Sequence, residues 1–237
     1  MSVVTVPIVD LLAVTPRSRL VSMDLSARGL EFLAGQAVMV CAHGQDERRP
    51  YSIACSPERA AETRRLELLI AVDAGGDPAA NLASATPGTL VDVEGPVGAF
   101  TLPEVNRDCR MLCVAGGTGI APLRSMLDHL LRRAAAPRIS LLYSARRSDE
   151  FAFIDELHEH ATAGRLELHQ TVTRDPSSSW SGRRGRIGRS HFEAVLHEPA
   201  ATLCLVCGPA PLVRESVATL KVLGVPEAQI RTEQWGR

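Results

Sequence analysis

The chain has 237 residues, of which 45% are apolar and 22% are charged, and its formal net charge is −1 at pH 7. This length allows one large domain or two domains of about 100–130 residues. The near-neutral charge argues against a nucleic-acid-binding protein, because no basic excess is present to displace counterions from phosphates.

Two further classes are excluded by the apolar pattern. No apolar run reaches the roughly 18–20 residues that cross a bilayer. The opening MSVVTVPIVD lacks the basic start and long apolar core of a secretory signal. We therefore expect a soluble, cytoplasmic protein without a membrane span.

The six cysteines are scattered along the chain and show no disulfide-framework spacing. Cys204 and Cys207 form a C-x-x-C, but they lie within the apolar run TLCLVCG, which predicts a buried strand. Residues three apart on a strand point to opposite faces. The sequence therefore predicts no metal site at these cysteines, and a reducing compartment.

Up to about residue 103, short runs rich in Val, Ile and Leu predict strands, and Gly, Pro, Asp or Asn clusters separate them. The runs are RLVSMDL, AVMVCAH, PYSIACS, RLELLIAV and TLVDVEG. Several short strands at this spacing indicate an antiparallel barrel or sandwich. One helical turn is predicted around DPAANLA, with Asp77 as its N-cap and Pro78 at its first position.

From residue 109 the pattern changes to alternating strands and helices. The strand CRMLCVA is followed by a glycine turn and by the helix LRSMLDHLLRRA, which carries one apolar stripe. The helices FAFIDELHEHA, RSHFEAVL and PLVRESVATLKVL alternate with the strands RISLLYSA, LELHQTVT and TLCLVCG. This alternation predicts a parallel sheet with helices on both faces. With TLPEVNRD as the linker, the predicted domains are 1–103 and 104–237.

Two short stretches could carry chemistry. GGTGIAP, residues 116–122, follows a buried strand and opens a helix, where backbone N–H groups and the helix dipole favour an anion such as a pyrophosphate. A plain tight turn is the alternative. In RPYSIAC, residues 49–55, alternation places Arg49 and Tyr51 on one side of a strand. They could hold a phosphate and cover a flat ring, or be a surface arginine beside a half-buried tyrosine.

Taken together and in order, RPYSIA, EGPVGAF, GGTGIAP, CGPAPLV and the closing EQW resemble the ferredoxin–NADP reductase family of flavoproteins. The resemblance covers the chain from about residue 5. It implies an N-terminal antiparallel β-barrel that binds a flavin and a C-terminal α/β parallel-sheet domain that binds NAD(P). It includes no fused iron–sulfur module, because no C-x₄-C-x₂-C spacing is present.

The resemblance also implies the flavin site. Arg49 would contact the flavin phosphate, Tyr51 would stack on the isoalloxazine, and Ser52 would hydrogen-bond near N5, with Pro50 in the same strand. The stretch GDPAANL would hold the pyrophosphate through Gly76, Ala79 and Ala80. Ala79 stands where many relatives carry a hydroxyl, so that one hydrogen bond is missing. FAD is predicted, with FMN as the alternative.

For the second domain, the resemblance implies a dinucleotide over Gly117, Thr118 and Gly119, with Thr118 close to the nicotinamide. Cys207 and Gly208 would line the hydride-transfer site. Glu233 would assist charge or proton balance, and Trp235 would cover the flavin face. The implied catalytic residues are Ser52, Cys207, Glu233 and Trp235.

The choice between NADPH and NADH depends on what lies beyond the second strand of the sheet, because arginines accommodate a 2′-phosphate. The candidates are Arg146, Arg147, Arg174 and Arg186, in a cluster that also contains Arg183 and Arg184. They could equally belong to solvated loops. We predict a phosphate clamp and therefore NADPH, with NADH as the alternative.

The predicted function is that of an FAD-dependent NAD(P)H reductase that passes electrons to a ferredoxin or an oxygenase-type acceptor, or that works in reverse from ferredoxin to NADP⁺. One alternative is an NAD(P)H:flavin reductase that releases reduced flavin. Another is a nucleotide-binding electron-transfer subunit of a larger complex.

Overall fold

The computed structural model describes residues 3–72, 82, 85–133, 136–177 and 179–235. No helix in these ranges is long and apolar enough to span a membrane.

The chain divides into two compact units that interleave in sequence. The first comprises Met1–Pro103 and Arg124–His129, and the second comprises Glu104–Leu123 and Leu130–Arg237. The chain therefore passes more than once between the units.

The first unit is built on an antiparallel sheet. Its elements are β1 (Val3–Thr15), β2 (Ser18–Asp24), β3 (Ala37–Ala42), β4 (Arg49–Ser52), α1 (Pro57–Thr63), β5 (Arg65–Ala71) and β6 (Leu90–Val97). The strand order is β4-β3-β6-β1-β2-β5. A bridge between Ile53 and Leu68 joins the chain just after β4 to β5, so that the sheet closes into a barrel. The predicted antiparallel barrel is confirmed.

Alternation along the strands produces the barrel core. Val4, Val6 and Ile8 of β1 are buried and belong to one apolar cluster with Val91 and Val93 of β6. The residues between them face outward, as expected for a half-buried strand. The predicted helical turn around residue 77 lies outside the described residues.

The sequence analysis did not identify β1 or α1. Helix α1 begins after Ser56, whose side chain accepts a hydrogen bond from the Arg59 N–H at 3.1 Å, and Pro57 occupies its first turn. Only Ala60 of this helix is buried. A helix this short with one buried residue leaves almost no periodic signal in a sequence.

Polar side chains from Arg124–His129 are bonded into the barrel unit. Arg124 donates to the Glu67 carboxylate at 2.7 Å and to the Ala54 carbonyl at 2.9 Å, and Ser125 donates to the Cys55 carbonyl at 2.6 Å. Arg124 is 5% exposed. These bonds provide donors for the carbonyls of Ala54 and Cys55, which follow β4.

The second unit is built on a parallel sheet. Its elements are β7 (Arg110–Gly116), α2 (Ile120–Leu131, except for Arg124–His129, which belong to the first unit), β8 (Arg138–Ala145), α3 (Ile154–Thr162), β9 (Glu167–Val172), β10 (Arg183–Arg184), α4 (Arg189–Glu193), β11 (Thr202–Pro209), α5 (Ala210–Val222) and β12 (Ile230–Trp235). The strand order is β10-β9-β8-β7-β11-β12, and every pairing is parallel. The predicted parallel sheet is confirmed.

The central strands are buried on both faces, which explains their continuous apolar sequences. On one face, Leu112 and Val206 form a cluster with Phe192 of α4 and with Val213 and Leu220 of α5. Two predicted helices are shorter than expected. The run RSHFEAVL is helical only over Arg189–Glu193, and the run that begins at Phe151 becomes helical only after Phe153, whose φ is +59°.

Candidate functional site

In the barrel unit, four consecutive predicted site residues form β4. Tyr51 pairs with Val38 and Arg49 pairs with Val40 of β3, so that Arg49 and Tyr51 lie on the same side of the strand. Tyr51 is half-buried and packs against the barrel core. Burial raises the pKa of Tyr51, and the nearby Arg49 charge acts in the opposite direction. The phenol is therefore neutral at physiological pH.

The chemistry of this donor set fits a flavin nucleotide. Arg49 offers a guanidinium for a phosphate, Tyr51 an aromatic ring for a planar heterocycle, and Ser52 a hydroxyl on the adjacent residue. Pro50 is exposed between them. The remaining predicted flavin residues, Gly76, Ala79 and Ala80, lie outside the described residues, whereas Leu82 of the same stretch is buried in the barrel core.

In the second unit, the glycine turn connects β7 to α2. Gly117–Gly119 form a 3₁₀ turn, and α2 begins at Ile120. Gly117 has φ +55°, a left-handed conformation that glycine adopts without a steric cost, and a Cβ at Gly117 would meet open space. The turn thus presents backbone to an open volume at a helix N-terminus, which fits a pyrophosphate.

A second glycine in this turn lets it lie against β11. A Cβ at Gly119 would lie 2.4 Å from the Cys207 carbonyl oxygen and 2.8 Å from the Gly208 Cα. Only a residue without a side chain permits this contact. The turn and the predicted hydride-transfer residues are therefore neighbours.

Four predicted residues lie on adjoining strands at the carboxyl end of the sheet. Cys207 pairs with Glu233 and Pro209 pairs with Trp235, while Gly208 separates the two positions on β11. The Cys207 Sγ lies 3.9 Å from a carboxylate oxygen of Glu233. Trp235 is 39% exposed. Ligands of parallel α/β sheets bind outside this end of the strands.

The Cys207 thiol is protonated at physiological pH. It is fully buried, and burial raises its pKa, with the Glu233 carboxylate adding in the same direction. A thiol of this kind is a weak hydrogen-bond donor and not a nucleophile.

The four main candidate arginines divide into two pairs. Arg174 donates its backbone N–H to the Arg146 carbonyl at 2.8 Å, which places the two residues side by side after β9 and β8. Both are exposed, and neither guanidinium has a partner within the described residues. By contrast, the Arg147 Nε donates to Asp149 at 3.2 Å, and Arg186 lies 4.0 Å from Glu215.

Asp175, which the sequence analysis missed, and Arg184, which it placed in the arginine cluster, connect the loops that follow β8 and β9. The Asp175 carboxylate accepts the Ser148 N–H at 2.6 Å and the Ser177 N–H at 2.7 Å. These bonds lower the pKa of Asp175 to about 2. Arg184 donates to the carbonyls of Asp175, Ser177 and Trp180. Asp175 lies at the start of the polar stretch DPSSS, where an Asx turn is a readable signal.

A second missed residue is Tyr143 on β8. Its hydroxyl donates to the Gly117 carbonyl at 3.2 Å and accepts from the Ala152 N–H at 3.1 Å. A tyrosine inside the apolar run RISLLYSA is a detectable signal, because a buried phenol needs a hydrogen-bond partner.

Comparisons with known proteins match the two regions of the chain to two different family models. Residues 6–102 match the family model described as an oxidoreductase FAD-binding domain, and residues 113–217 match the model described as an oxidoreductase NAD-binding domain. The two matches coincide with the barrel and the parallel-sheet regions of the chain.

The chain is also similar to individual proteins. It is 34% identical to ferredoxin–NADP reductase B of Sorangium cellulosum, with 95% of this chain and 96% of that protein covered. It is 32% identical to the xylene/toluene monooxygenase electron transfer component of Pseudomonas putida, over 58% of this chain and 39% of that protein. The chain thus spans well under half the length of some of its curated relatives.

Among solved structures, a ferredoxin NADP⁺ reductase from Neisseria gonorrhoeae with bound FAD and NADP has a TM-score of 0.83 at 21% identity. The match covers 99% of each chain. At this identity the likeness establishes the fold.

Proposed function

The chain belongs to the ferredoxin–NADP reductase family of FAD-dependent NAD(P)H oxidoreductases, and from that premise we propose that it transfers a hydride from NADPH to FAD and passes the electrons to a redox protein. The observation that carries the proposal is the contact of the Gly119 backbone with Cys207. It joins the glycine turn, the proposed anion site, to the buried Cys207 thiol and the half-buried Glu233 carboxylate at the carboxyl end of the sheet.

We assign the flavin to the barrel unit. Arg49 would neutralise the flavin phosphate, Tyr51 would support one face of the ring, and Ser52 would donate a hydrogen bond beside it. Gly76, Ala79 and Ala80 complete this proposed site. When bound, the flavin supplies the hydride acceptor and can release electrons one at a time, which nicotinamides do not do.

We assign the dinucleotide to the second unit. The Gly117–Gly119 turn would hold the pyrophosphate, and the Thr118 side chain would border the nicotinamide. Cys207 and Gly208 would form the floor on which the nicotinamide ring rests. The protonated Cys207 thiol can direct its hydrogen toward the Glu233 carboxylate. The thiol would then present no charge to the nicotinamide ring.

Trp235 and Glu233 have proposed roles at the end of β12. Trp235 is partly exposed at the strand terminus, and we propose that its ring covers the flavin until a nicotinamide takes its place. Glu233 would balance charge or exchange a proton as the flavin changes its redox state. Both roles require ring-to-ring contact between flavin and nicotinamide, which is the geometry that hydride transfer demands.

We propose NADPH as the preferred nucleotide. Arg146 and Arg174 are adjacent and exposed, with no guanidinium partner among the described residues, as a clamp for a 2′-phosphate needs. The carboxylate beside them, Asp175, accepts two backbone N–H groups and is buried. It therefore offers little free surface to the ribose hydroxyls of NADH. Arg147 and Arg186 would reinforce the positive field.

The proposed acceptor is a small redox protein. A ferredoxin–NADP reductase and an oxygenase electron transfer component are both similar in sequence to this chain, and they support a ferredoxin or an oxygenase component as the partner. The same residues would also serve the reverse direction, from reduced ferredoxin to NADP⁺. A cytoplasmic location stays a prediction from the sequence.

Anaerobic reduction of the purified protein tests the proposal. We expect a yellow protein whose flavin absorbance bleaches on addition of NADPH and returns on addition of an oxidised ferredoxin. A protein that stays colourless after incubation with FAD or FMN would contradict it. Flavin that leaves the protein on gel filtration after reduction would instead support the flavin-reductase alternative, and a yellow protein that neither nucleotide bleaches would support the electron-transfer subunit.

A further inference from the structure

Tyr143 is fully buried, and its hydroxyl group bridges two loops of the second unit. The Ala152 N–H can only donate, so it donates to the Tyr143 oxygen at 3.1 Å. The Gly117 carbonyl can only accept, so the phenolic proton is directed to it at 3.2 Å. The direction of both hydrogen bonds is therefore fixed by the chemistry of the partners.

The Tyr143 ring is held in place on a second side. Phe151 meets it edge-on with ring centroids 5.0 Å apart, and Trp180 stacks on Phe151 at 5.6 Å. Burial also raises the pKa of Tyr143, so that the hydroxyl keeps its proton throughout the physiological range. A rigid ring with a fixed proton gives the Gly117 carbonyl a constant partner.

The orientation of this carbonyl determines the orientation of the next amide. In a planar trans peptide the C=O and the N–H point in opposite directions. The Gly117 carbonyl accepts from Tyr143 and also from the Ile120 N–H. The Thr118 N–H, which shares this peptide group, therefore points away from Tyr143.

Two hydrogen bonds restrain this peptide, one from Ile120 within the turn and one from Tyr143 outside it. Gly117 has φ +55°, and glycine populates positive and negative φ about equally. A Cβ on Gly117 would meet open space, so close packing does not hold this residue. The Tyr143 hydrogen bond is thus a specific restraint on a flexible residue.

We infer that Tyr143 is a positioning residue for dinucleotide binding: its hydroxyl fixes the Gly117–Thr118 peptide so that the Thr118 N–H is presented to the pyrophosphate. This inference rests on the proposed function, and it adds to it a residue that touches neither substrate nor cofactor. A flipped peptide would present the Gly117 carbonyl oxygen to the phosphate, which is electrostatically unfavourable.

The test is Tyr143→Phe, which removes one oxygen atom and keeps the ring. We expect the Kd for NADP⁺ and the KM for NADPH to rise about tenfold, equivalent to about 1.4 kcal/mol. The kcat should change less than about twofold, because the lost interaction stabilises the bound ground state and the transition state equally. Adenosine 2′-monophosphate contains no pyrophosphate, so its affinity should stay unchanged.

Thr202→Val is the matched control. Thr202 is buried at the start of β11, and its hydroxyl donates to the Glu198 carbonyl at 2.7 Å. This variant loses a comparable buried hydrogen bond at the opposite end of the strand from Cys207. It should lower Tm and leave NADP⁺ affinity unchanged.

Phe151→Leu supplies a second arm should the first variant fold poorly. It keeps the hydroxyl and loosens the ring, so NADP⁺ affinity should fall by a smaller factor, about twofold to threefold, again without a change for adenosine 2′-monophosphate. Unchanged NADP⁺ affinity in the folded variants, or equal weakening for NADP⁺ and adenosine 2′-monophosphate, would overturn this inference and leave the proposed function standing. Failure of the unaltered protein to bind NADP⁺ would overturn the proposed function and this inference with it.

Discussion

Gly119 and Cys207 are in backbone contact: a Cβ added to Gly119 would lie 2.4 Å from the carbonyl oxygen of Cys207. Contacts this short do not occur in folded proteins, so any side chain at position 119 must displace the turn or β11. The contact holds the start of α2 against the strand that carries the Cys207 thiol.

Gly119→Ala should therefore damage both stability and nucleotide binding. Displacement of packed backbone costs about 1–3 kcal/mol of unfolding free energy, which urea denaturation measures, and NADP⁺ affinity should fall with it. Gly29→Ala is the control, because a Cβ at Gly29 meets nothing within 4 Å. Equal stability of the two variants would contradict the close contact.

Arg174→Ala should reduce kcat/KM for NADPH while leaving that for NADH nearly unchanged. A charge-assisted hydrogen bond is worth about 1.5–3 kcal/mol, hence roughly 10-fold to 100-fold in kcat/KM. Arg138→Ala, at the start of β8 and also exposed, is the matched control for loss of a surface guanidinium. A parallel fall for both nucleotides would argue against a 2′-phosphate clamp.

Asp175→Asn should destabilise the protein at neutral pH and progressively less in acid. The pKa of Asp175 is lowered from 3.8 to about 2 by the Ser148 and Ser177 hydrogen bonds. The stabilisation by the carboxylate is thus present above about pH 4 and is lost as the pH falls toward 2. Thermal unfolding at several pH values measures the Tm difference from the unaltered protein, which should shrink over that interval.

A constant Tm difference across the same pH range would show that the destabilisation does not depend on ionisation of the Asp175 carboxylate. Asp149→Asn serves as the control, because Asp149 forms an exposed pair with Arg147 and exposed pairs contribute little.

Tyr51→Ala should weaken FAD binding about tenfold or more, since an aromatic contact contributes about 0.5–1.5 kcal/mol beyond the area it buries. Tyr51→Phe keeps the ring and should retain most of the affinity, measured by flavin titration of the stripped protein. Equal FAD affinity of the alanine variant and the unaltered protein would remove Tyr51 from the flavin site.

Trp235→Ala should change both the affinity for NADPH and the rate of flavin reduction, because the proposed cover over the ring is gone. Stopped-flow reduction at several NADPH concentrations separates the two quantities. Trp235→Phe, with a smaller ring, should give intermediate values. If neither the affinity nor the rate changes in the alanine variant, Trp235 does not cover the flavin.

Much of the fold could be predicted because the apolar pattern is regular where the core is continuous. The strands that became β2 to β6 and the alternating elements of the second unit all carry that pattern. Strand β12 was missed because its sequence, IRTEQW, is largely polar, and it forms through pairing with β11.

The candidate site was only partly predictable for a related reason. The residues of RPYSIAC and GGTGIAP occupy consecutive positions, so one short stretch reveals them. Tyr143 and Asp175 act on partners 26 and 27 residues away. The sequence likewise could not show that the Arg184 guanidinium donates to three backbone carbonyls, whereas those of Arg146 and Arg174 are exposed.

The path of α2 has a practical consequence for protein engineering. Expression of residues 1–103 as a separate fragment would omit Arg124 and Ser125, which donate to the Glu67 carboxylate and to the carbonyls of Ala54 and Cys55. Loss of one partner from a largely buried ion pair costs roughly 3–5 kcal/mol. A chimera that exchanges flavin modules between homologues would therefore need to transplant Arg124–His129 together with the N-terminal segment.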